Sequence, residues 1–266
     1  MNVNAILVAL IIIGIIGLVV GLFLGVGGIL FKVEVNEKEQ KILEALPGNN
    51  CGGCGFPGCA GLAEAISKNE AQVNQCVVGG ESVSLKIAEI MGTEASKGER
   101  KTAFVACDGH CDDVGVDYDY YGMEDCRMLG VVPGGSFRSC KQGCLGFGTC
   151  VKVCQFDAIK VVDGVAKVDR DKCKACGKCV EACPKHLISL IPYDAKVFVA
   201  CSNTQKGALT TKQCKKGCIG CRICTKNCQN DAITVNNNLA KVDYDKCVAC
   251  GACVEKCPRK IIKQLS

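Results

Sequence analysis

Two cysteine runs, Cys218 to Cys228 and Cys247 to Cys257, constrain this chain more than any other feature. Each reads Cys-x2-Cys-x2-Cys-x3-Cys, and the second closes on Pro258. Thiolates three residues apart in a tight loop can hold three corners of one [4Fe–4S] cubane. The fourth cysteine lies too far along to close its own site, and in two-cluster iron–sulfur proteins it ligates the neighbouring cluster. The pattern assigns Cys218, Cys221, Cys224 and Cys257 to one cluster. It assigns Cys247, Cys250, Cys253 and Cys228 to a second. Zinc generally leaves longer loops between cysteine pairs, and a disulfide framework would have to pair eight crowded thiols without reshuffling.

The chain carries 25 cysteines in 266 residues, with no Trp, five Tyr and eight Phe. Large apolar side chains are scarce beyond the N-terminus, so hydrophobic burial alone is a poor source of stability. Clusters acting as internal cross-links would supply the rest, as structural metals do in small domains. The formal charge of +5 counts every thiol as neutral. A cubane with four thiolates carries about −2, so five of them bring the charged state to roughly −5. The basic balance is therefore no sign of nucleic-acid binding.

Residues 1 to 31 contain no charged side chain, and Ala5 to Phe31 is long enough to cross a bilayer as a helix. A cleaved signal peptide would want basic residues before the apolar run and a small-x-small site after it; Phe31-Lys32-Val33-Glu34 offers none. The expectation is an uncleaved, single-pass anchor in the cell membrane. Lys32 and Lys38 follow the run and none precedes it, and reduced thiols need a reducing compartment, so the bulk of the chain is placed on the cytoplasmic side. Gly17, Gly21 and Gly25 recur every four residues, a spacing that lets this helix pack closely against another in the membrane.

Glu34 to Ala45 reads as a short helix or linker. Cys51, Cys54, Cys59 and Cys76 then supply four thiolates, with Gly52, Gly53, Gly55 and Gly58 letting the backbone wrap a cofactor. Four cysteines with nothing left over suit one [4Fe–4S] cluster, with zinc as the alternative. A helix is expected over Ala60 to Lys68. An amphipathic one is expected over Ser84 to Met91, stopped by Gly92.

From Cys140 the chain repeats with a period of 74 residues. Cys140, Cys144, Cys150, Cys154, Cys173, Cys176, Cys179 and Cys183 match Cys214, Cys218, Cys224, Cys228, Cys247, Cys250, Cys253 and Cys257. Strand-like segments flank Asp163-Gly164 in one copy, a hairpin signal, and Asn236-Asn237-Asn238 in the other. Short helices are expected after the runs ending at Cys154 and Cys183. The copies also share Phe104-Val-Ala-Cys107 and Phe198-Val-Ala-Cys201, with twenty extra residues in the first. Phe147 stands where the second copy has Cys221. The expected first site of copy one is therefore Cys140, Cys144, Cys150 and Cys183, and its partner is Cys173, Cys176, Cys179 and Cys154. Twenty cysteines then serve five clusters. Cys107, Cys111, Cys126, Cys201 and Cys214 remain, either as buried or free thiols or as part of a sixth centre built on Cys107, Cys111 and Cys126. His110 could join that centre or lie on the surface.

Residues 198 to 266 hold 12 Lys and Arg against 4 Asp and Glu, among them Lys212, Lys215, Lys216, Arg222, Lys226, Arg259, Lys260 and Lys263. Such a face would steer an acidic redox partner; a merely solvated face is the alternative.

The order of parts is specific: an apolar helix, then Leu46-Pro-Gly-x-Asn50-Cys51-Gly-x-Cys54-Gly-x-x-Gly58-Cys59, then tandem modules opening with Gly143-Cys-Leu-Gly-Phe-Gly-Thr-Cys150. It resembles the B subunit of the Rnf complex, the membrane ferredoxin:NAD oxidoreductase that couples electron flow to Na⁺ or H⁺ transport. The resemblance implies that the chain accepts electrons from reduced soluble ferredoxin and passes them to membrane subunits of the complex, with flavin and NAD chemistry elsewhere. The residues themselves show no nucleotide fingerprint and no catalytic dyad. An electron-wire subunit of another membrane enzyme and an iron–sulfur sensor or cluster carrier are the other readings. The expected fold is α+β: a transmembrane helix (1–31), a linker and four-Cys domain (32–92), a first ferredoxin-like module with an insert (93–197) and a second module (198–266).

Overall fold

The computed structural model describes residues 3–30, 36–94 and 98–265, with side chains on the first helix described for residues 11–27. Lys32 and the boundary at 31/32 lie outside them. The first helix, α1, runs Val3–Leu30. Its described side chains are apolar and exposed, Phe23 at 78%. Among the residues whose side chains are described, no helix is long and apolar enough to cross a membrane. The body of the chain is mixed α+β.

Three helices build the first small domain. Asn36 caps α2 (Glu37–Ala45), its side-chain oxygen accepting the Lys38 N–H at 3.0 Å. α3 (Cys59–Ser67) and α4 (Gly80–Met91) pack on it, and Gly92 ends α4 in the left-handed conformation. Ile42, Leu46, Leu62, Ile66 and Ile87 form the core, together with Cys59 and Cys76. So few apolar groups make a small core, and half of the domain is loop around the cysteines.

The two modules share one plan. In the first, β1 (Lys101–Val105) pairs antiparallel with β4 (Ile188–Pro192), closing the module end to end. Between them, β2 (Ile159–Val162) and β3 (Val165–Val168) form a hairpin whose turn, Asp163-Gly164, has φ +49 and +74. Two positive φ values in succession suit the right-handed strand twist, and Gly accepts one at no steric cost. The second module repeats this with β5 (Val197–Val199) on β8 (Ile262–Gln264), and β6 (Ile233–Asn236) on β7 (Leu239–Val242). β5 begins one residue before the expected boundary at 198.

The short helices fall inside the cysteine runs rather than after them. α5 (Thr149–Lys152), α6 (Lys178–Ala182), α8 (Ile223–Lys226) and α9 (Ala252–Glu255) each carry the third cysteine of a run. The single turn brings third and fourth cysteines to opposite ends, which sends the fourth to another site. A seven-residue helix, α7 (Gly207–Gln213), precedes Cys214.

Each hairpin tip packs on a cysteine loop through a glycine. A Cβ on Gly146 would lie 2.8 Å from the Gly164 oxygen, and one on its repeat equivalent, Gly220, 2.9 Å from the Asn238 Cα. Both glycines also have positive φ, +81 and +65. Gly146→Ala or Gly220→Ala should each destabilise the chain by about 1–3 kcal/mol, the cost of a residue held in a sparsely populated backbone region. Gly130→Ala, where nothing lies within 4 Å of the added carbon, should not. Chemical denaturation midpoints of the three variants check this.

Candidate metal centres

In the N-terminal domain the thiols of Cys51, Cys54, Cys59 and Cys76 line one pocket. Asn50 sets its geometry. The Asn50 Oδ1 accepts the Cys59 N–H at 2.8 Å, capping α3 from nine residues away. Gly58, at φ +97, leaves room for that oxygen, because a Cβ there would sit 2.9 Å from it. The Gly79 N–H donates to Cys76 Sγ at 3.4 Å.

The second module brings Cys218, Cys221, Cys224 and Cys257 around one pocket, and Cys228, Cys247, Cys250 and Cys253 around another. These are the groups that the cysteine spacing selects. Ala249, at φ +56, bends the Cys247 to Cys250 loop, as Ala175, at φ +53, bends Cys173 to Cys176. Non-glycine residues held in this region gather at sites where the backbone must wrap closely.

In the first module Cys154, Cys173, Cys176 and Cys179 stand as mutual neighbours, also as expected from the spacing. The sulfurs here meet backbone donors: Ala158 N–H on Cys154 Sγ at 3.4 Å, Ala103 N–H on Cys173 Sγ at 3.3 Å, and Ala175 N–H on Cys173 Sγ at 3.4 Å. Ala232 N–H on Cys228 Sγ repeats the first of these at 3.3 Å.

The remaining site of this module differs from expectation. The structure puts Cys126, not Cys140, with Cys144, Cys150 and Cys183 around a common pocket. The insert delivers it. The Cys126 N–H donates to Thr149 Oγ1 at 2.8 Å, and that hydroxyl donates to Asp125 Oδ1 at 3.0 Å. Arg127 holds Asp125 from the other side, at 2.8 Å. Phe147, in the place of a cysteine, stacks on Phe137 at 5.4 Å and tilts against Tyr120 at 5.5 Å, pinning the insert on the module. The sequence carries a signal for this exchange: one cysteine missing from the repeat and one extra in the insert. Cys140 lies instead in a cleft between the modules, with Cys107, Cys201 and Cys214. The Cys107, Cys111 and Cys126 grouping does not form. Cys111 is exposed and accepts from Arg138 at 3.3 Å. His110 Nε2 pairs with Asp108 Oδ1 at 3.3 Å.

Burial pushes the thiols of Cys150 and Cys179 up to about 12 and that of Cys224 to about 11, with neighbouring thiols adding to it. Without metal these pockets hold protons, which iron must displace. Among the described residues no three His, Cys, Asp or Glu converge on a single ion-sized point. The donor set that does occur, four sulfurs set around a cavity and met by backbone N–H groups, fits a cubane with one ligand at each corner.

Parts of the basic face are already spent inside the molecule. Lys263 and Lys216 reach Asp108 at 2.9 and 3.7 Å, Lys215 donates to the Asp112 oxygen, and Arg259 donates to the oxygens of Cys214 and Gly217. These contacts fasten the modules or their loops. Lys212, Arg222, Lys226 and Lys260 are left exposed.

The fold and these cysteine groups define a multi-centre iron–sulfur electron carrier of ferredoxin type. The family described as "Putative Fe-S cluster" matches residues 46–78, the 4Fe-4S binding domain family residues 166–189, and the 4Fe-4S dicluster domain family residues 217–262. The chain is 48% identical over 260 residues to the B subunit of the Na(+)-translocating ferredoxin:NAD(+) oxidoreductase complex of Acetobacterium woodii, covering 97% of this chain and 78% of that one. It is 41% identical over 266 residues to the B subunit of the proton-translocating ferredoxin:NAD(+) oxidoreductase complex of Clostridium ljungdahlii, covering 98% and 93%. It is 40% identical over 252 residues to the B subunit of the ion-translocating oxidoreductase complex of Methanosarcina acetivorans, covering 93% and 94%. The chain belongs to the family formed by the B subunits of ion-translocating ferredoxin:NAD(+) oxidoreductase, or Rnf, complexes.

Cys126→Ala should remove one cluster, about four irons per chain. Adding Phe147→Cys in that background, which restores the spacing of the second copy, should return them. Iron and acid-labile sulfide assays on anaerobically purified protein check both.

Proposed function

We propose that this chain is the electron-carrying subunit of a membrane-bound ferredoxin:NAD(+) oxidoreductase, with at least five [4Fe–4S] clusters in series. The proposed ligand sets are Cys51, Cys54, Cys59 and Cys76; Cys154, Cys173, Cys176 and Cys179; Cys126, Cys144, Cys150 and Cys183; Cys218, Cys221, Cys224 and Cys257; and Cys228, Cys247, Cys250 and Cys253. When bound, each cluster supplies a site that gains or loses one electron. The protein's part is to place the sites next to one another, keep water from the inner ones, and aim N–H donors at the sulfurs.

The adjacency of successive groups carries this reading. A Cβ on Gly53 would lie 2.7 Å from the Cys176 oxygen, so the four-Cys domain rests directly on the first module. Cys51 is close enough to add to the upward shift that burial imposes on the Cys176 thiol. Cys150 in turn has Cys179 of the neighbouring group beside it. Three centres thus adjoin in the order four-Cys domain, inner site, insert site.

The two ends differ as an electron path requires. The second module presents Cys221 and Cys250 at the surface, with Arg222 and Lys226 beside the first of them. That supports entry from an acidic soluble ferredoxin at this end. The four-Cys domain follows α1, and the exposed apolar side chains of α1 need a nonaqueous neighbour. That supports a single membrane anchor and other membrane subunits as recipients, while the free thiols of the body, which need a reducing compartment, support a cytoplasmic position for it. One relative belongs to a Na(+)-translocating complex and another to a proton-translocating one, and in this reading ion coupling lies with the membrane subunits rather than with this chain. Flavin and NAD chemistry falls to other subunits as well.

Stopped-flow mixing with reduced ferredoxin tests the reading: the full-length, cluster-loaded chain should oxidise it, and failure to do so would favour a sensor. Arg222→Glu with Lys226→Glu should slow the second-order step by about tenfold or more at low salt, with the difference shrinking as ionic strength rises. Deleting residues 1–31 should release the chain from washed membranes, as read by its distribution between pellet and supernatant.

A further inference from the structure

The five groups leave a break between the modules, and the structure holds four more cysteines at that break. Cys107 and Cys140 belong to the first module, Cys201 and Cys214 to the second. All four line a single cleft. None of Cys107, Cys201 and Cys214 is used elsewhere, and Cys140 is displaced from its expected site by Cys126.

Their sulfurs converge by several independent contacts. A Cβ on Gly109 would lie 3.3 Å from Cys214 Sγ and 3.9 Å from Cys107 Sγ, so these two thiols from different modules flank one point. Asn203, only 2% exposed, donates its side-chain N–H to Cys140 Sγ at 3.7 Å and its backbone N–H to Cys201 Sγ at 3.4 Å. Cys140 and Cys214 share a small buried cluster with Val114.

The arrangement has the internal repeat's symmetry. Cys107 corresponds to Cys201 and Cys140 to Cys214, so each module gives the same two ligands. The Cys144 N–H donates to Cys107 Sγ at 3.4 Å, and its counterpart, the Cys218 N–H, donates to Cys201 Sγ at 3.3 Å. Phe104 and Phe198, also counterparts, meet across the same interface with ring centroids 4.6 Å apart. Self-matching contacts of this kind are what a two-fold interface produces. Around it, Ser202 donates to the Gln142 oxygen at 2.8 Å, and Lys263 pairs with Asp108 at 2.9 Å. The buried Arg138 anchors the wall by donating to the oxygens of Gly109 and Cys144.

We infer that Cys107, Cys140, Cys201 and Cys214 hold a sixth [4Fe–4S] cluster, shared between the modules, which links their electron paths. The inference rests on the five-centre reading above for its role, not for its ligands. Cys144 and Cys218, whose N–H groups touch this site, are themselves ligands of the adjoining centres. The bridging site would accept one electron from the centre on its second-module side and give one to the centre on its first-module side, returning unchanged. The six groups then form one unbroken series from Cys250 to Cys51. The site also acts as a cross-link, adding to the few contacts that join the modules, among them the Val114–Cys214 β-bridge and the Lys215 N–H donated to the Asp113 oxygen at 2.8 Å.

The test compares wild-type full-length protein with Cys201→Ser/Cys214→Ser, two positions that none of the five other centres uses. Both are purified anaerobically and reconstituted with iron and sulfide. The expected iron content is about 24 per chain in the wild type and about 20 in the variant, since a cubane holds four. Equal iron in the two would overturn the inference. The control Cys111→Ser alters a nearby exposed thiol outside the set. It should match the wild type, and a loss of four irons there would also overturn the inference. If the double variant does not fold, the wild-type count decides: about 24 supports the site, and 20 or fewer overturns it. The five-centre reading fails separately. A wild type below 20 that still loses four irons in the variant would keep the bridge and defeat the count of the others.

Discussion

The bond between cysteine sulfur and iron is what this fold depends on. Its sheets have two strands each, and a lone two-stranded hairpin is marginal in water at best. Four of its helices are single turns. The apolar clusters of the modules are built as much from cysteine as from Val and Ile. Remove the metal, and buried thiols pushed up towards 11 or 12 must stay protonated and uncross-linked. In the proposed ligand sets, the same residues bind metal as anions and tie segments far apart in sequence. Folding and cofactor binding are thus one equilibrium rather than two.

This constraint explains the glycines and the strained residues better than turn propensity alone does. Gly53 lets the four-Cys domain touch the first module, and Gly146 and Gly220 let cysteine loops touch hairpin tips. Ala175 and Ala249 hold positive φ because the loop must bring three sulfurs to one cavity. In each case close approach of backbone to a neighbouring loop is what places one centre beside the next. Electron transfer is served by the same approach, so the features that carry function are also those that hold the structure together.

Much of this was legible in the cysteine spacing. The runs of the second module, the four-Cys domain and the inner site of the first module group as their spacing suggests, because three of the four cysteines in each group lie within a few residues of one another. Hairpin turns at Asp163-Gly164 and Asn237-Asn238 were readable for a similar local reason. What escaped was set by distance. Cys126 reaches its site only because an insert folds back through Thr149 and an aromatic stack. Cys107, Cys140, Cys201 and Cys214 meet only because two copies of one module pack face to face. A repeat shows that two units exist, but not which surfaces they turn towards each other. The one cysteine missing from the repeat and the five left outside the expected sites were the trace this packing left in the sequence.

Anomalous scattering at the iron edge, from crystals of the full-length chain grown without oxygen, addresses the central claim most directly. The account predicts iron density inside every cysteine group, cubane-sized, in one continuous succession from the second module to the four-Cys domain. Single-atom peaks at those groups, or sulfurs joined in pairs with no iron between them, would contradict it.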